Sequence, residues 1–412
     1  MSVNTTSTMN AIFKRRYADK LERLIPEEYV LSSAISFNKK KKLGRVYHMP
    51  VVLEREHGVT YAASGDGNFT LDAPIAGQTE ETEVQGSQCV IRGAIDYEAL
   101  AKGAGKGDHS FEDSNDLLVE NMSLSMRDRL EIALWYGRDE LGTVGGVAGN
   151  VITMTTAEWA SGIWTGAGGA KIEAFTAAGT AQRLGTMTIT SVDIAARTVT
   201  VDAAAAGLAA TDRLFFKTEH TCPGGVATPK NMVGLHAIAV NTGSLWGIDA
   251  AVYPLWKSCS LAVGGVQLSF EACQDLIALL MAKGYKGEGN LYVSPQTWAK
   301  MMTDQAALRR HGDPNKSGNY EMGAEKLTFW TQAGKLNIIS SCLVKEGYGY
   351  ILQPKNFTRI GATDITFNIP GRGGEFFRQQ DDQAGIEIRA FYHQALFTKA
   401  PGKIGLLTGI VN

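Results

Sequence analysis

LWGIDAAVYPLWKS, residues Leu245–Ser258, is the stretch on which the reading of this chain turns. It sets Trp246 and Trp256 ten residues apart, with Asp249 and a Tyr253–Pro254 step between them. Large aromatic rings with one polar handle belong chiefly in cores and interfaces. A binding or catalytic reading needs acids, bases or ligands converging on the same place, and Asp249 alone does not supply them. The stretch therefore reads as architecture, and its surroundings must say of what.

Downstream, LSFEACQDLIALLMAKG (Leu268–Gly284) is an amphipathic helix with Ser269 as N-cap and Gly284 as C-cap. LYVSPQTWAKMM (Leu291–Met302) is a strand entering a helix, with Ser294 as N-cap and Pro295 in the first turn. Lys335–Asn412 reads as strands. GIEIRAFY turns Ile386, Ile388, Ala390 and Tyr392 to one face, and YGYILQP and GKIGLL read as its partners in the same sheet.

Upstream, SFEDSNDLLVENMSLSMRDRLEIALWYG (Ser110–Gly137) is the strongest helix signal. Ser110 and Asp113 have capping-box spacing. Leu118, Met122, Met126, Leu130 and Leu134 recur at i, i+4 as one core-facing stripe, and Arg127 and Glu131 are spaced for an ion pair. Before it, Arg45–Ala63 and Thr82–Ile95 read as two long strands joined by a Gly-, Asp- and Pro-rich tip. Such a ribbon is too thin to bury its own apolar residues, among them Val51, Leu53, Val59, Tyr61, Phe69 and Leu71, and must pack on something else. Composition shifts near Gly145 towards Gly, Ala and Thr. GTMTITSVDI and ARTVTVDA alternate with period two and DRLFFKT follows, so that about 176–225 reads as a small β-rich insert.

The totals exclude more than they assert. The 412 residues carry a net charge of -2, which demands no nucleic acid globally. The first 55 residues are an exception, with eleven Lys and Arg against five acids. Lys39, Lys40, Lys41 and Lys42 form either a solvated loop or a contact for an acidic partner or polyanion. The five cysteines form no CxxC pair, and the seven histidines show no HExxH, so reduced thiols are expected and no metal or cofactor. No run approaches the roughly 18 apolar residues that span a bilayer, and the N-terminus lacks a signal core; a soluble protein made in a cytoplasm is expected. KGAGKGDHS (Lys102–Ser110) lacks the spacing of a phosphate loop, and GRGGEFF (371–377) reads as a loop between strands. Asp381 and Asp382, like Glu27 and Glu28, are adjacent and point apart on a strand, which makes poor acid/base pairs. No GxSxG occurs and no enzymatic activity is expected.

Gly247, Ile248, Asp249, Tyr253 and Trp256, followed by the Leu268 helix and then Ser294, Pro295, Thr297 and Trp298, resemble the GID-x-x-x-Y-x-x-W and SP-x-T-W segments of tailed-bacteriophage major capsid proteins of the HK97 fold. A basic arm, a long hairpin, a spine-like helix and the terminal ATDITFNIPGRGGEFFR and YHQALFTKAPGKIGLLTGI agree in order. The resemblance implies an α+β fold. Its parts would be an N-terminal arm (1–45), an extended β-hairpin loop (46–95), a peripheral domain with the spine helix (96–144 and 335–412), a mixed α/β central domain (145–175 and 226–334) and the insert (176–225). It implies self-assembly into an icosahedral virion shell of hexamers and pentamers around double-stranded DNA held by non-specific contact. Assembly would take place in a bacterial cytoplasm with portal and scaffold proteins and a decoration protein, without a membrane. Lys39–Lys42, Val59, Tyr61, Phe69 and Leu71 are then the expected assembly contacts. Trp246, Asp249, Tyr253, Trp256, Met122, Met126 and Leu130 are the expected architectural residues. A cargo-enclosing bacterial shell of the same fold and a β-rich tail-associated or binding module are the alternatives.

Overall fold

The computed structural model describes residues 27–38, 44–98, 114–303, 327–368, 377–379 and 385–412. The run Lys39–Lys42, the capping pair Ser110 and Asp113, the loop 102–110, residues 371–376 and the pair Asp381 and Asp382 lie outside them.

A helix of 23 residues, α2 (Ser114–Tyr136), comes after the short helix α1 (Val30–Ala34) and packs against it. Met122, Met126, Leu130 and Leu134 are buried along one stripe, as i, i+4 spacing requires. They pack on a four-stranded antiparallel sheet in which β21 (Gly385–Thr398) lies between β3 (Ser87–Asp96) on one side and β19 (Phe357–Thr366) with β20 (Phe377–Gln379) on the other. Gly93 sits where the helix comes closest. A Cβ there would stand 2.5 Å from the Met122 sulfur, so this approach needs glycine.

Glu131 does not serve Arg127 as the spacing suggested. Its carboxylate is fully buried and accepts the amides of Leu31 (2.6 Å) and Ser32 (2.9 Å) and the Trp135 indole N–H (3.3 Å). The reason is geometric: α1 lands on this face of α2, and a carboxylate there satisfies free N–H groups at the start of α1.

The hairpin is shorter than its sequence implies. Strand β1 (Tyr47–Val52) pairs antiparallel with β2 (Thr79–Val84), Tyr47 opposite Val84 and Val52 opposite Thr79. The expected second arm, Thr82–Ile95, divides after Val84, because Ser87–Asp96 leaves the hairpin to pair with β21 over ten residues. A period-two pattern gives strand identity but not strand partner.

The β-rich unit is larger than expected. Strands β4 (Gly142–Ala148), β5 (Val151–Met154), β6 (Lys171–Phe175), β7 (Met187–Asp193), β8 (Thr198–Val201) and β9 (Arg213–Phe216) close a barrel in the order β4-β5-β8-β7-β6-β9. Residues 145–175, assigned above to a central domain, therefore belong to the same barrel as the 176–225 stretch. The Gly-rich GTVGGVAG carries too few side chains to show alternation. Gly142 is nevertheless a strand residue, where a Cβ would stand 2.4 Å from the Met154 methyl. Ile152, Met154, Ile172, Met187, Ile189, Val199 and Leu214 are buried, and closure removes the open edges that a small sheet exposes.

The remaining unit is a six-stranded mixed sheet, order β14-β22-β18-β15-β17-β16: β14 (Cys259–Ala262), β22 (Gly405–Thr408), β18 (Tyr348–Leu352), β15 (Gly289–Val293), β17 (Gly334–Ser340) and β16 (Leu327–Thr331). YGYIL and GLLT pair antiparallel as expected, but Gly385–Thr398 belongs to the other sheet. The helix Phe270–Ala282 packs its Leu276, Ile277 and Leu280 on this sheet. Ser269 Oγ accepts the Ala272 amide at its start, and Gly284 takes a positive φ of 82° after its end. Ser294 likewise caps Pro295–Thr303 through the Thr297 amide at 3.2 Å. Among the described residues no helix is long and apolar enough to cross a membrane.

Candidate assembly surface

The opening stretch is a tight reverse turn. Ser244–Leu245 pairs with Ile248–Asp249, leaving Trp246 and Gly247 as the two central residues. Both have positive φ, 52° and 89°, as a type I′ turn requires. For glycine this is free; for tryptophan it costs on the order of 1–2 kcal/mol, so surrounding contacts must hold it. They are visible. The Trp246 ring lies edge-on to Trp256 (6.3 Å, 72°) and 5.3 Å from Phe397. Its carbonyl accepts the Glu83 amide at 2.8 Å. The Trp256 indole donates to the Leu245 carbonyl at 3.2 Å and the ring is buried.

That Glu83 bond gives the turn its purpose, because Glu83 is in β2. The Tyr253 hydroxyl donates to Glu80 on the same strand (3.3 Å), and Asp249 shapes the turn locally by accepting the Ala251 amide (2.9 Å). From the other side Tyr47 packs edge-on to Phe397 (5.6 Å), and Thr82, fully buried, donates to the Met49 carbonyl. Leu53 and Val84 are buried as well, so Leu53, grouped above with the residues that find no cover, is part of this base. The base of the hairpin is thus clamped between the tryptophan turn and the end of β21. Replacing Trp246 by Ala removes the clamp's largest side chain and is expected to cost about 3–5 kcal/mol. It should also speed amide exchange in Thr79–Val84 more than in the barrel, read by hydrogen-exchange mass spectrometry.

Beyond the base, no described residue covers the hairpin's apolar side chains. Val59, Tyr61, Phe69 and Leu71 are 64, 92, 52 and 73% exposed, joined by Val52 and Ile75, which the sequence reading passed over. Two short backbone bonds between His57 and Ile75 keep the two sides together. This exposed apolar set is concentrated on one projection, which is the mark of a contact surface. Its charge was also missed, although simple counting finds it. Between Leu53 and Val84 stand seven acids, Glu54, Glu56, Asp66, Asp72, Glu80, Glu81 and Glu83, against the single Arg55. The hairpin is acidic and the N-terminal 55 residues are basic overall.

A second cluster went unread because its members are far apart in sequence. Lys345 is fully buried, and its ammonium donates to Glu158 (2.5 Å) and to the Glu140 carbonyl (3.0 Å), 4.6 Å above the Tyr136 ring. The Tyr348 hydroxyl donates to the other Glu158 oxygen (2.6 Å). His236 meets the Tyr350 hydroxyl at 2.6 Å and Asp139 at 3.3 Å. Burial opposes the charge on Lys345, but Glu158, Glu140 and Asp139 outweigh it and hold its pKa above the usual lysine value. Burial likewise opposes the Glu158 charge, and Lys345 reverses the effect, leaving that carboxyl below its ordinary range. The cluster joins the end of α2, the barrel and the six-stranded sheet, and its chemistry is that of a structural lock.

In fold, the chain is similar to solved phage capsid structures along its whole length. The cyanophage A-1(L) capsid asymmetric unit matches with a TM-score of 0.56 at 12% identity, covering 99% of this chain and 100% of the other. The capsid of the empty GTA particle matches at 0.51 and 9% identity over 100% of both chains. The capsid of Myoviridae phage XM1 matches at 0.50 and 8% over 99% of both. No protein-family model and no curated protein matches the sequence. The chain has the HK97-type α+β fold of these capsid subunits.

Proposed function

We propose that this chain is a major capsid protein that self-assembles into an icosahedral phage head enclosing double-stranded DNA. The observation that carries the reading is the hairpin: a projection clamped at its base, with aromatic and aliphatic side chains exposed beyond it, in a chain that follows the capsid-subunit fold from end to end. A monomer gains nothing from such a projection, whereas a closed lattice uses it once per subunit and makes modest contacts cooperative. Hexamers and pentamers of the chain itself are the primary partners. Portal, scaffold and decoration proteins and non-specifically held DNA complete the proposed virion, assembled in the host cytoplasm. The role is structural, without a catalytic step. The proposed division is a peripheral unit of α2 with its four-stranded sheet, a central unit built on the six-stranded sheet, and the barrel as an outward-facing insertion.

Electron microscopy of the expressed full chain tests this. Closed shells or tubes are expected, alone or with a scaffold protein. Monomers and dimers under every condition, or shells filled with an enzyme cargo in place of DNA, would overturn it. The lysine run has its own test. If Lys39–Lys42 meet acidic groups such as those of a neighbour's hairpin, changing all four to Gln lowers assembly yield at low salt. The deficit should shrink as salt screens the contact. Equal yields for both proteins at every salt concentration would make the run a solvated loop.

A further inference from the structure

The face of the four-stranded sheet turned away from α2 is basic. Side chains alternate across a strand, and Gly93 of β3 meets Met122. Cys89, Ile91 and Gly93 therefore look towards the helix, while Gln88, Val90, Arg92 and Ala94 look outward. Residues directly opposite in an antiparallel pair share a face. This adds Phe391 opposite Val90, Arg389 opposite Arg92 and Glu387 opposite Ala94, with Arg378 of β20 opposite Glu387 on its other side. The buried Glu387 carboxylate accepts from Arg92 (2.7 Å) and from Arg389, and both arginine side chains stay exposed. One carboxylate thus stands among three guanidiniums, with Asp96 at the far end of the strand. Val90, beside the arginines, is 60% exposed. Next to them the same face opens into a groove of about 350 Å³ lined by Gln88, Val90, Thr363, Phe391 and His393. The register of β19 shifts on both sides of Thr363, and the buried Thr363 hydroxyl has no hydrogen-bond partner among the described residues. Aliphatic and aromatic walls with one free hydroxyl fit a phenol ring.

The hairpin carries the complement of this face. Tyr61 is its most exposed aromatic side chain, and seven acids surround it against the single Arg55. The Asp72 amide donates to the Thr60 hydroxyl (2.9 Å), which sets Asp72 beside Tyr61 across the two sides of the hairpin. On the sheet, Val90 and Arg92 are two residues apart, about 7 Å along the strand, so one hairpin can fill the groove and meet the arginines. We propose that the outer face of this sheet receives the hairpin of a second copy of the chain, with Tyr61 in the groove against Thr363 and Asp72 over Arg92 and Arg389. Donor and receiver are different surfaces, so the contact is head-to-tail, the kind that generates rings when its rotation closes. Opposite charges on the two surfaces select this pairing over hairpin against hairpin or sheet against sheet. The inference rests on the self-assembly reading and names the surface that receives the arm.

The test uses the full chain and two measurements. Oxidation of the double variant Y61C/V90C is expected to give a ladder of disulfide-linked chains on a non-reducing gel, which the single variants Y61C and V90C lack. The ladder reports the contact whether or not shells form. A ladder without shells would keep the contact and remove the shell reading; shells without a ladder would overturn the contact alone; neither would overturn both. A link within one chain would place the hairpin on its own sheet and also overturn the proposal. Charge reversal is the second measurement. Arg92→Glu and Asp72→Arg, each melting like the unaltered chain, should each lower shell yield about tenfold or more. Both changes on one chain should restore it, since every reversed hairpin then meets a reversed face. Reduced yield without rescue in the double variant would assign the arginines to another acidic partner, such as DNA, and overturn the proposal, as would unchanged yield in the single variants.

Discussion

Replacing Arg55–Gly77 by a short Gly-Ser turn is expected to abolish shell formation and leave the subunit's own melting nearly unchanged. The cut spares every residue that fixes the base: Leu53, Thr82, Val84 and the Glu83 amide bonded to Trp246. It removes Val59, Tyr61, Phe69, Leu71 and Ile75, all more than half exposed, so the folded subunit loses little buried area. On a neighbouring copy each of these side chains, fully covered, would contribute roughly 1.5–3 kcal/mol. Ordering a long loop reduces the net gain. The remainder still recurs at every subunit of a lattice, so losing it removes the assembled state altogether. Circular dichroism reports the fold and sedimentation the assembly. Normal shells from the shortened protein would show that the hairpin is no intersubunit arm. Loss of cooperative melting would show that it stabilises its own subunit.

The sequence disclosed elements better than partners. The α2 stripe, the Ser269 and Ser294 caps and the β7–β8 hairpin were all readable, because each depends on residues within one or two turns of each other. Three things were not. Ser87–Asp96 alternates like any half-buried strand, and nothing local says that it pairs with residues three hundred positions away. Gly142–Ala148 is too poor in side chains to show a period, which hid the first strand of the barrel. Glu131 had the spacing of a surface ion pair, yet the landing of α1 on that face buried it. The exposed apolar set of the hairpin was half visible. Val59, Tyr61, Phe69 and Leu71 followed from the thinness of a two-stranded ribbon, whereas the clamp at its base needed the fold to bring Trp246 to Glu83.

Lys345→Met should be the most damaging single substitution in the core. It leaves Glu158 facing Tyr136 and Glu140 without its counter-ion, and removing one member of a buried pair costs about 3–5 kcal/mol. Glu158→Gln removes the carboxylate bonded to the fully buried Lys345 ammonium, leaving only Glu140 and Asp139 to offset its charge, and should cost a similar amount. The double variant should lose much less than the two losses added together, because neither charge is then stranded. Acid adds an independent check. His236 is pushed down to about 4, first by burial and then by Lys345, so it is neutral in the folded chain. The unfolded imidazole takes up a proton below about 6.5. The folded state therefore loses stability as pH falls from about 6.5 to 4, by up to about 3 kcal/mol. Glu158, held below its ordinary value, adds a loss at still lower pH, as acid protonates it more readily in the unfolded chain. Glu140, raised by burial and then by Asp139, acts in the opposite sense, so total acid stability does not isolate the imidazole. Comparison with His236→Gln does: the variant should be less stable at neutral pH, through loss of ring packing, and flatter between pH 6.5 and 4. Parallel curves for the two proteins over that range would show that His236 stays protonated in the fold and that the lock is assembled differently.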